Sequence, residues 1–120
     1  MPGTVLLAED SPDVREAFVE LLSTAGWGVV AVGDGHAAVE RAVALRPDAV
    51  VVDVGLPGID GLEVARRIRG SLGAAPFLVA VTGHGRSDDR RAALAAGFDV
   101  HLVKPVDVEE LMSVLSRGRG

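Results

Sequence analysis

The sequence predicts an α/β sandwich, a parallel sheet covered by helices on both faces. Five short runs rich in β-branched residues, at residues 5–8, 29–32, 49–52, 77–81 and 100–103, mostly show no apolar/polar alternation. Strands buried on both faces have that pattern. Segments of helical length and period lie between them, joined by short loops. Strands that alternate regularly with helices assemble through right-handed crossovers into one sheet. At 120 residues and 48% hydrophobic composition the chain suits one compact domain, expected to span residues 1–120 without a second lobe.

The elements follow in order. The first helix is expected to open at Ser11, with Pro12 in its first turn and Val14, Phe18, Leu21 and Leu22 on one buried face, and to end at Gly26. Asp60 with Glu63, and Asp107 with Glu110, mark later helix starts. Two such residues three apart resemble a capping box with aspartate as the cap. Ser87 is the expected cap before residues 88–96, and Gly97 the stop. The Arg117-Gly118-Arg119-Gly120 tail is expected to fray.

Chemistry concentrates where the strands end. Glu9 and Asp10 follow the first run, Asp53 the third, Thr82 the fourth and Lys104 the fifth. Carboxylates gathered at one sheet edge repel one another by roughly 4 kcal/mol per pair at 4 Å and an effective dielectric near 20. A hard divalent cation relieves this, and Mg²⁺ typically takes one or two carboxylates while keeping waters and phosphate oxygens. Lys104 adds a compact charge suited to phosphate. Carboxylates, a cation and a lysine together suit phosphoryl transfer, in which positioning and charge neutralisation dominate. Asp53, after the middle strand, is the best-placed nucleophile, because carboxylates form aspartyl-phosphates. The Thr82 hydroxyl can donate to a phosphoryl oxygen, and Gly83 lets its backbone N–H approach the same group.

Blander readings stand beside these. Glu9 and Asp10 alone would suit a solvated loop and a helix cap, and Thr82 could simply satisfy local backbone. Trp27 reads as a packing residue and His36 as an exposed helix start without function. His101 is either a half-exposed strand histidine or part of a switch. A net charge of −5 provides no general attraction to nucleic acid or an anionic membrane. No apolar run approaches the ~20 residues of a membrane helix, so neither direct nucleic-acid binding nor membrane insertion is expected. The absence of cysteine excludes disulfides and thiolate metal sites and is compatible with the expected cytoplasmic setting.

Glu9-Asp10, Asp53 followed by Pro57 and Gly58, Gly61 opening the next helix, Thr82, and Lys104-Pro105 stand in an order and spacing that resemble the response regulator receiver family of two-component signalling. The likeness covers essentially the whole chain. It implies a flavodoxin-like, doubly wound five-stranded parallel sheet in the order 2-1-3-4-5 with five helices. Asp53 would be the phosphoacceptor. Asp10 and Asp53 would ligate Mg²⁺, for which Mn²⁺ can substitute, together with the backbone carbonyl of Gly55, while Glu9 acts through metal-bound water. Lys104 would pair with Asp53 and then with the phosphoryl group, and Lys104-Pro105 would be cis. Thr82 would move toward the phosphoryl oxygens and residue 101 turn inward after it. Position 101 is commonly aromatic in the family but is histidine here, making a polar, pH-dependent switch conceivable. Gly55 contributes no side chain near the phosphoryl group, whereas His84 has the reach to cross the site. Residues 81–85 and 96–107 look similar to receivers attached to hybrid sensor histidine kinases.

The implied partners are a histidine kinase as phosphodonor and a downstream protein or attached domain reached through the fourth helix, fifth strand and fifth helix; a homodimer is a further expectation. No turnover of an external substrate is expected. Two alternatives are a phosphate-independent interaction scaffold and a small aspartyl-phosphate phosphohydrolase, the latter disfavoured by Gly55 and by the lack of length for a cap. A flavin module of similar architecture is disfavoured because Glu9 and Asp10 put negative charge where its phosphate would bind.

Overall fold

The structure is a computed structural model that describes residues 3–83 and 87–119. Its elements run β1 (Thr4–Ala8), α1 (Pro12–Thr24), β2 (Gly28–Val32), α2 (Gly35–Leu45), β3 (Ala49–Asp53), α3 (Gly61–Leu72), β4 (Phe77–Thr82), α4 (Ser87–Ala96), β5 (Val100–Val103) and α5 (Val108–Arg119). All strand pairs are parallel, in the order β2-β1-β3-β4-β5. The expected strands are thus present, lengthened by a residue at one end in every case but β5. The added residues at β3 and β4 are Asp53 and Thr82, which the sheet itself therefore holds.

Strand side chains alternate between faces, and both faces are apolar. Leu6, Val50, Val52, Leu78 and Ala80 face a core completed by α2, α3 and α4 through Ala38, Ala42, Val64, Ala65, Ile68, Ala93 and Ala96. Val5, Leu7, Val51, Val79 and Leu102 face one completed by α1 and α5 through Leu22, Leu111, Val114 and Leu115. Trp27 is buried in this second core, a packing residue, while His36 is exposed.

The helix signals held with four adjustments. Asp60 Oδ1 accepts the Glu63 N–H at 2.9 Å, and Asp107 Oδ1 accepts those of Glu109 and Glu110. The Glu63 carboxylate, however, turns to Arg66 and Arg67, its neighbours one turn on, so only half a capping box forms at α3. Ser87 is the first residue of α4 rather than its cap. Gly97 ends that helix at φ +116°, and Gly26 lies just past the end of α1 at φ +99°. On α1, Val14 and Leu21 are 40% and 41% exposed. They lie seven residues apart along the edge of the stripe centred on Phe18 and Leu22, so the buried face is narrower than the sequence suggests. The C-terminal run is helical through Arg119, with Gly118 seated against the Phe77 ring where any Cβ would collide. Packing between α5 and the start of β4 thus seats Gly118 within the helix, while Gly120, the last residue of the run expected to fray, lies outside the described residues.

Candidate functional site

The carboxyl ends of β1, β3, β4 and β5 bring Glu9, Asp10, Asp53, Thr82 and Lys104 to one edge of the sheet. Glu9 and Asp53 are buried, and Asp10 is exposed beside them. One carboxylate oxygen from each of the three lies within 4.8 Å of the others. The backbone fixes this convergence. The Glu9 N–H donates to Val32 O, Arg15 Nη1 donates to the Glu9 carbonyl at 2.8 Å, and the Ser11 N–H donates to Glu9 Oε1 at 3.1 Å. Arg15 was not singled out from the sequence; its position one turn into a helix that follows an acidic loop was the available signal. Across the sheet, the Val54 N–H donates to Val81 O, anchoring the turn that follows Asp53.

Each Asp53 oxygen already has a partner. Oδ1 accepts the Gly55 N–H at 3.0 Å, and Oδ2 accepts Lys104 Nζ at 2.8 Å. The hydrogen bond to Asp53 pushes the Lys104 ammonium above its ordinary value, with the Asp53, Glu9 and Asp10 charges adding to the effect. Glu9 is raised, first because burial disfavours its charged form and also because Asp53 is near; the Ser11 N–H opposes this. Among the described residues, one lysine thus faces three clustered carboxylates, a surplus of negative charge that a hard divalent cation matches. The oxygen-only donor set and its span fit Mg²⁺.

The Lys104 N–H donates to Thr82 O at 2.7 Å, and the Lys104-Pro105 bond is cis. Thr82 is buried, and its Oγ1 lies 2.7 Å from His101 Nε2. Gly83 is exposed, and a Cβ there would meet no atom nearby, so crowding does not demand glycine at this position. His84 lies outside the described residues. Among the described residues, clefts on two sides reach Asp53 and Lys104. An outer one of about 470 Å³ is lined by Asp10, Gly55, Thr82, Gly83 and Asp89 among others. An inner, mostly apolar one of about 510 Å³ runs between α1 and α5 past Val14, Phe18, Val106 and Leu111, which is why Val14 stays outside the core. Asp89 was not singled out from the sequence, which shows it only as an acidic residue in the first turn of a helix.

The chain matches the model of the response regulator receiver domain over residues 5–116. It is 41% identical over 113 residues to the response regulator MprA of Mycolicibacterium vanbaalenii, covering 94% of this chain and 48% of that protein. It is 38% identical over 111 residues to the probable transcriptional regulatory protein TcrX of Mycobacterium tuberculosis, covering 92% of this chain and 47% of that protein. The chain thus spans about half the length of the curated relatives it matches. Among solved structures, the receiver domain of a sensor histidine kinase of Pseudomonas aeruginosa superposes with a TM-score of 0.91 at 34% identity, covering 100% of this chain and 99% of that one; it holds a magnesium ion in its active site cleft. The chemotaxis protein CheY4 of Vibrio cholerae superposes with a TM-score of 0.89 at 28% identity, covering 98% of each chain.

Proposed function

We propose, from the premise that this chain belongs to the response regulator receiver domain family, that Asp53 accepts a phosphoryl group and that the resulting change in charge and hydrogen bonding is the signal. The observation that carries this reading is the Asp53 carboxylate, buried at the end of the central strand, held by Gly55 N–H and Lys104 Nζ, and flanked by Glu9 and Asp10. The donor is a phosphohistidine on a histidine kinase. An Asp53 oxygen attacks phosphorus, the P–O bond forms as the donor's P–N bond breaks, and the electron pair stays on the leaving imidazole.

Asp10 and Asp53 would hold Mg²⁺, with the Gly55 carbonyl as a further ligand and Glu9 acting through water, and Mn²⁺ would be able to take its place. The bound metal supplies positive charge against the phosphoryl oxygens. Lys104 moves its hydrogen bond from Asp53 to the transferred group, and Thr82 and Gly83 donate to its remaining oxygens. Phosphorylation adds about −1.5 to −2 of charge, and a nearly complete population shift needs ~5.5 kcal/mol of differential stabilisation. A few charge-assisted bonds are of that order. Residue 101 and α4 are the first elements to respond. Only Ala93 and Ala96 of α4 are buried, so this helix is lightly anchored.

Receiver domains are in general signalling switches rather than substrate-turnover enzymes. We read residues 1–120 as one such domain, which assists its own phosphorylation and dephosphorylation and turns over no outside substrate. Output through α4, β5 and α5 reaches a downstream protein, an attached domain or a second copy. No nucleic-acid contact is assigned to this domain, whose net charge is −5, and its setting is read as cytoplasmic. Among the described residues no helix is long and apolar enough to cross a membrane.

Intact mass after incubation with Mg²⁺ and acetyl phosphate tests the reading. One labile phosphoryl group is expected on the native chain, absent in Asp53→Ala and suppressed by chelation. No gain from acetyl phosphate or from a panel of histidine kinases would leave a phosphate-independent scaffold in its place.

A further inference from the structure

The outer cleft serves phosphoryl acceptance; the inner one, of about 510 Å³, has walls and an end of different kinds. Strand alternation sets the end. Leu7, Val51 and Leu102 face the α1 and α5 side of the sheet, and side chains two residues on share that face. Two residues beyond them stand Glu9, Asp53 and Lys104, which close the cleft where the strands finish. Asp53 and Lys104 border both clefts, whereas Asp10 and Thr82 line the outer one. The walls are apolar. Phe18 of α1 and Leu111 of α5 flank the strand residues, and Val14, 40% exposed, and half-buried Val106 stand nearer the solvent. Small-molecule sites have this size and character, about 300–1,000 Å³ of mostly apolar surface with a few convergent polar groups.

The charges at the closed end select among ligands. Glu9 and Asp53 are both buried there, and among the described residues that line the cleft the one cation is Lys104, which donates to Asp53 Oδ2 at 2.8 Å. Two carboxylates offer about eight lone-pair sites. Among the described residues, the Ser11 and Gly55 N–H groups and Lys104 Nζ fill three of them. An apolar cleft thus ends in acceptors and a surplus of negative charge. A neutral apolar molecule would cover the carboxylates without a donor for them, and an anion would be repelled. An ammonium group on an apolar body suits both the end and the walls.

We propose that the inner cleft is a binding site for a small primary amine with an apolar body, the ammonium donating to Glu9 and Asp53 and the body lying against Phe18, Val106 and Leu111. Asp53 also belongs to the carboxylate cluster that suits a divalent cation. The amine and the metal therefore answer the same surplus of charge, one from the inner cleft and one from the outer, and each weakens the other's binding. The consequence for signalling rests on the receiver reading: where acceptance needs the metal, an occupied cleft opposes phosphorylation.

Backbone NMR of the native chain tests the site, with titrations of 2-phenylethylamine, 2-phenylethanol, phenylacetate and methylammonium at neutral pH, where alkylamines are charged. The phenylethylamine should saturate, with shifts at Phe18, Val106 and Leu111, and bind about tenfold more tightly than the alcohol, the worth of one hydrogen bond to a charged group. Phenylacetate has the wrong charge and methylammonium no body, and both should bind more weakly still. Val14→Trp, which places an indole at the exposed rim, should cost the amine most of its affinity. Val106→Trp repeats that test from the facing wall if the first variant folds poorly. Saturating Mg²⁺ should weaken the amine about tenfold, and the amine should weaken Mg²⁺ by the same factor, because coupling between two ligands is reciprocal. Binding of the alcohol or phenylacetate as tight as that of the amine would assign the cleft to a neutral or anionic occupant and overturn the proposal. So would shifts confined to Asp10, Gly55 and Gly83, indifference to both rim variants, or an unchanged Mg²⁺ affinity. Intact mass after treatment with acetyl phosphate separates the two readings. A chain phosphorylated at Asp53 that takes no amine overturns this proposal alone, and one that binds the amine but accepts no phosphoryl group overturns the receiver reading alone.

Discussion

The two ends of the sheet handle charge in opposite ways. At the amino end, Arg69 of α3 donates to the carbonyls of Gly73, Pro76 and Gly97 and to Asp99, whose Oδ2 also accepts the Leu78 N–H at 2.8 Å. Nearby, Asp48 Oδ2 takes the Thr4 N–H. Opposite charges meet, and one side chain ties α3, the start of β4 and the α4–β5 loop together. At the carboxyl end, three carboxylates crowd within 4.8 Å and one lysine faces them. The first arrangement stabilises the fold as it stands. The second is repulsive until a cation arrives, the kind of local conflict expected at a functional site. The difference predicts that charge-removing substitutions at the two ends change stability with opposite sign.

The largest effect is expected at Arg69. Its side chain is only 20% exposed, so Arg69→Met leaves three carbonyls and one carboxylate without their cation. A loss of about 3 kcal/mol is expected from removing, with one side chain, four charge-assisted hydrogen bonds that are partly buried. Urea denaturation measures it. Phosphoryl acceptance at Asp53 should survive below the unfolding transition, and a loss under 1 kcal/mol would show that the amino end is not the clamp described here.

At the other end, Asp10→Asn removes an exposed member of the carboxylate cluster. Without metal the variant is expected to gain up to about 1 kcal/mol, because a like charge is gone from a site of intermediate dielectric. With Mg²⁺ the order reverses. The native chain should gain ~2.7 kcal/mol at a metal concentration a hundred times its Kd, and the variant clearly less at that concentration. Melting with and without chelator reads both effects. Equal Mg²⁺ shifts in the two chains would remove Asp10 from the metal site.

What could be read in advance divides along similar physical lines. Strands buried on both faces announce themselves as unbroken apolar runs, and aspartate caps act over three residues, so β1 to β5, Asp60 and Asp107 were legible from local sequence. So was the placement of Glu9, Asp10, Asp53, Thr82 and Lys104, because a parallel sheet gathers the ends of its strands whatever the sequence between them. Contacts made across long separations were not. Arg69 reaches Asp99 from 30 positions away, and an arginine in an amphipathic helix reads as solvated. The α1 stripe was read as too wide because Val14 borders a cleft that only the packing of α5 creates. His101 stood out as a departure at a switch position, but the Thr82 bond depends on β4–β5 register and on a rotamer, neither of which is written in the local pattern.

The smallest effect sharpens the contrast through pH. Burial raises the Glu9 carboxyl above its ordinary value of 4.5, and the nearby Asp53 charge raises it further. The folded chain therefore binds that proton more tightly than the unfolded chain does. Between 4.5 and the raised value the native state carries more proton, so this group's contribution to stability falls as pH rises and reaches its full penalty above the folded value. A depressed carboxyl would act in the reverse sense, losing stability as pH fell. Glu9→Gln deletes the dependence. In chelator-containing buffer the stability difference between variant and native chains should be constant below pH 4.5, grow in favour of the variant as pH rises through the window, and then level off. Urea midpoints at stepped pH measure it, and a difference that is flat or moves toward the native chain would mean that Glu9 is not held in a cluster poor in positive charge.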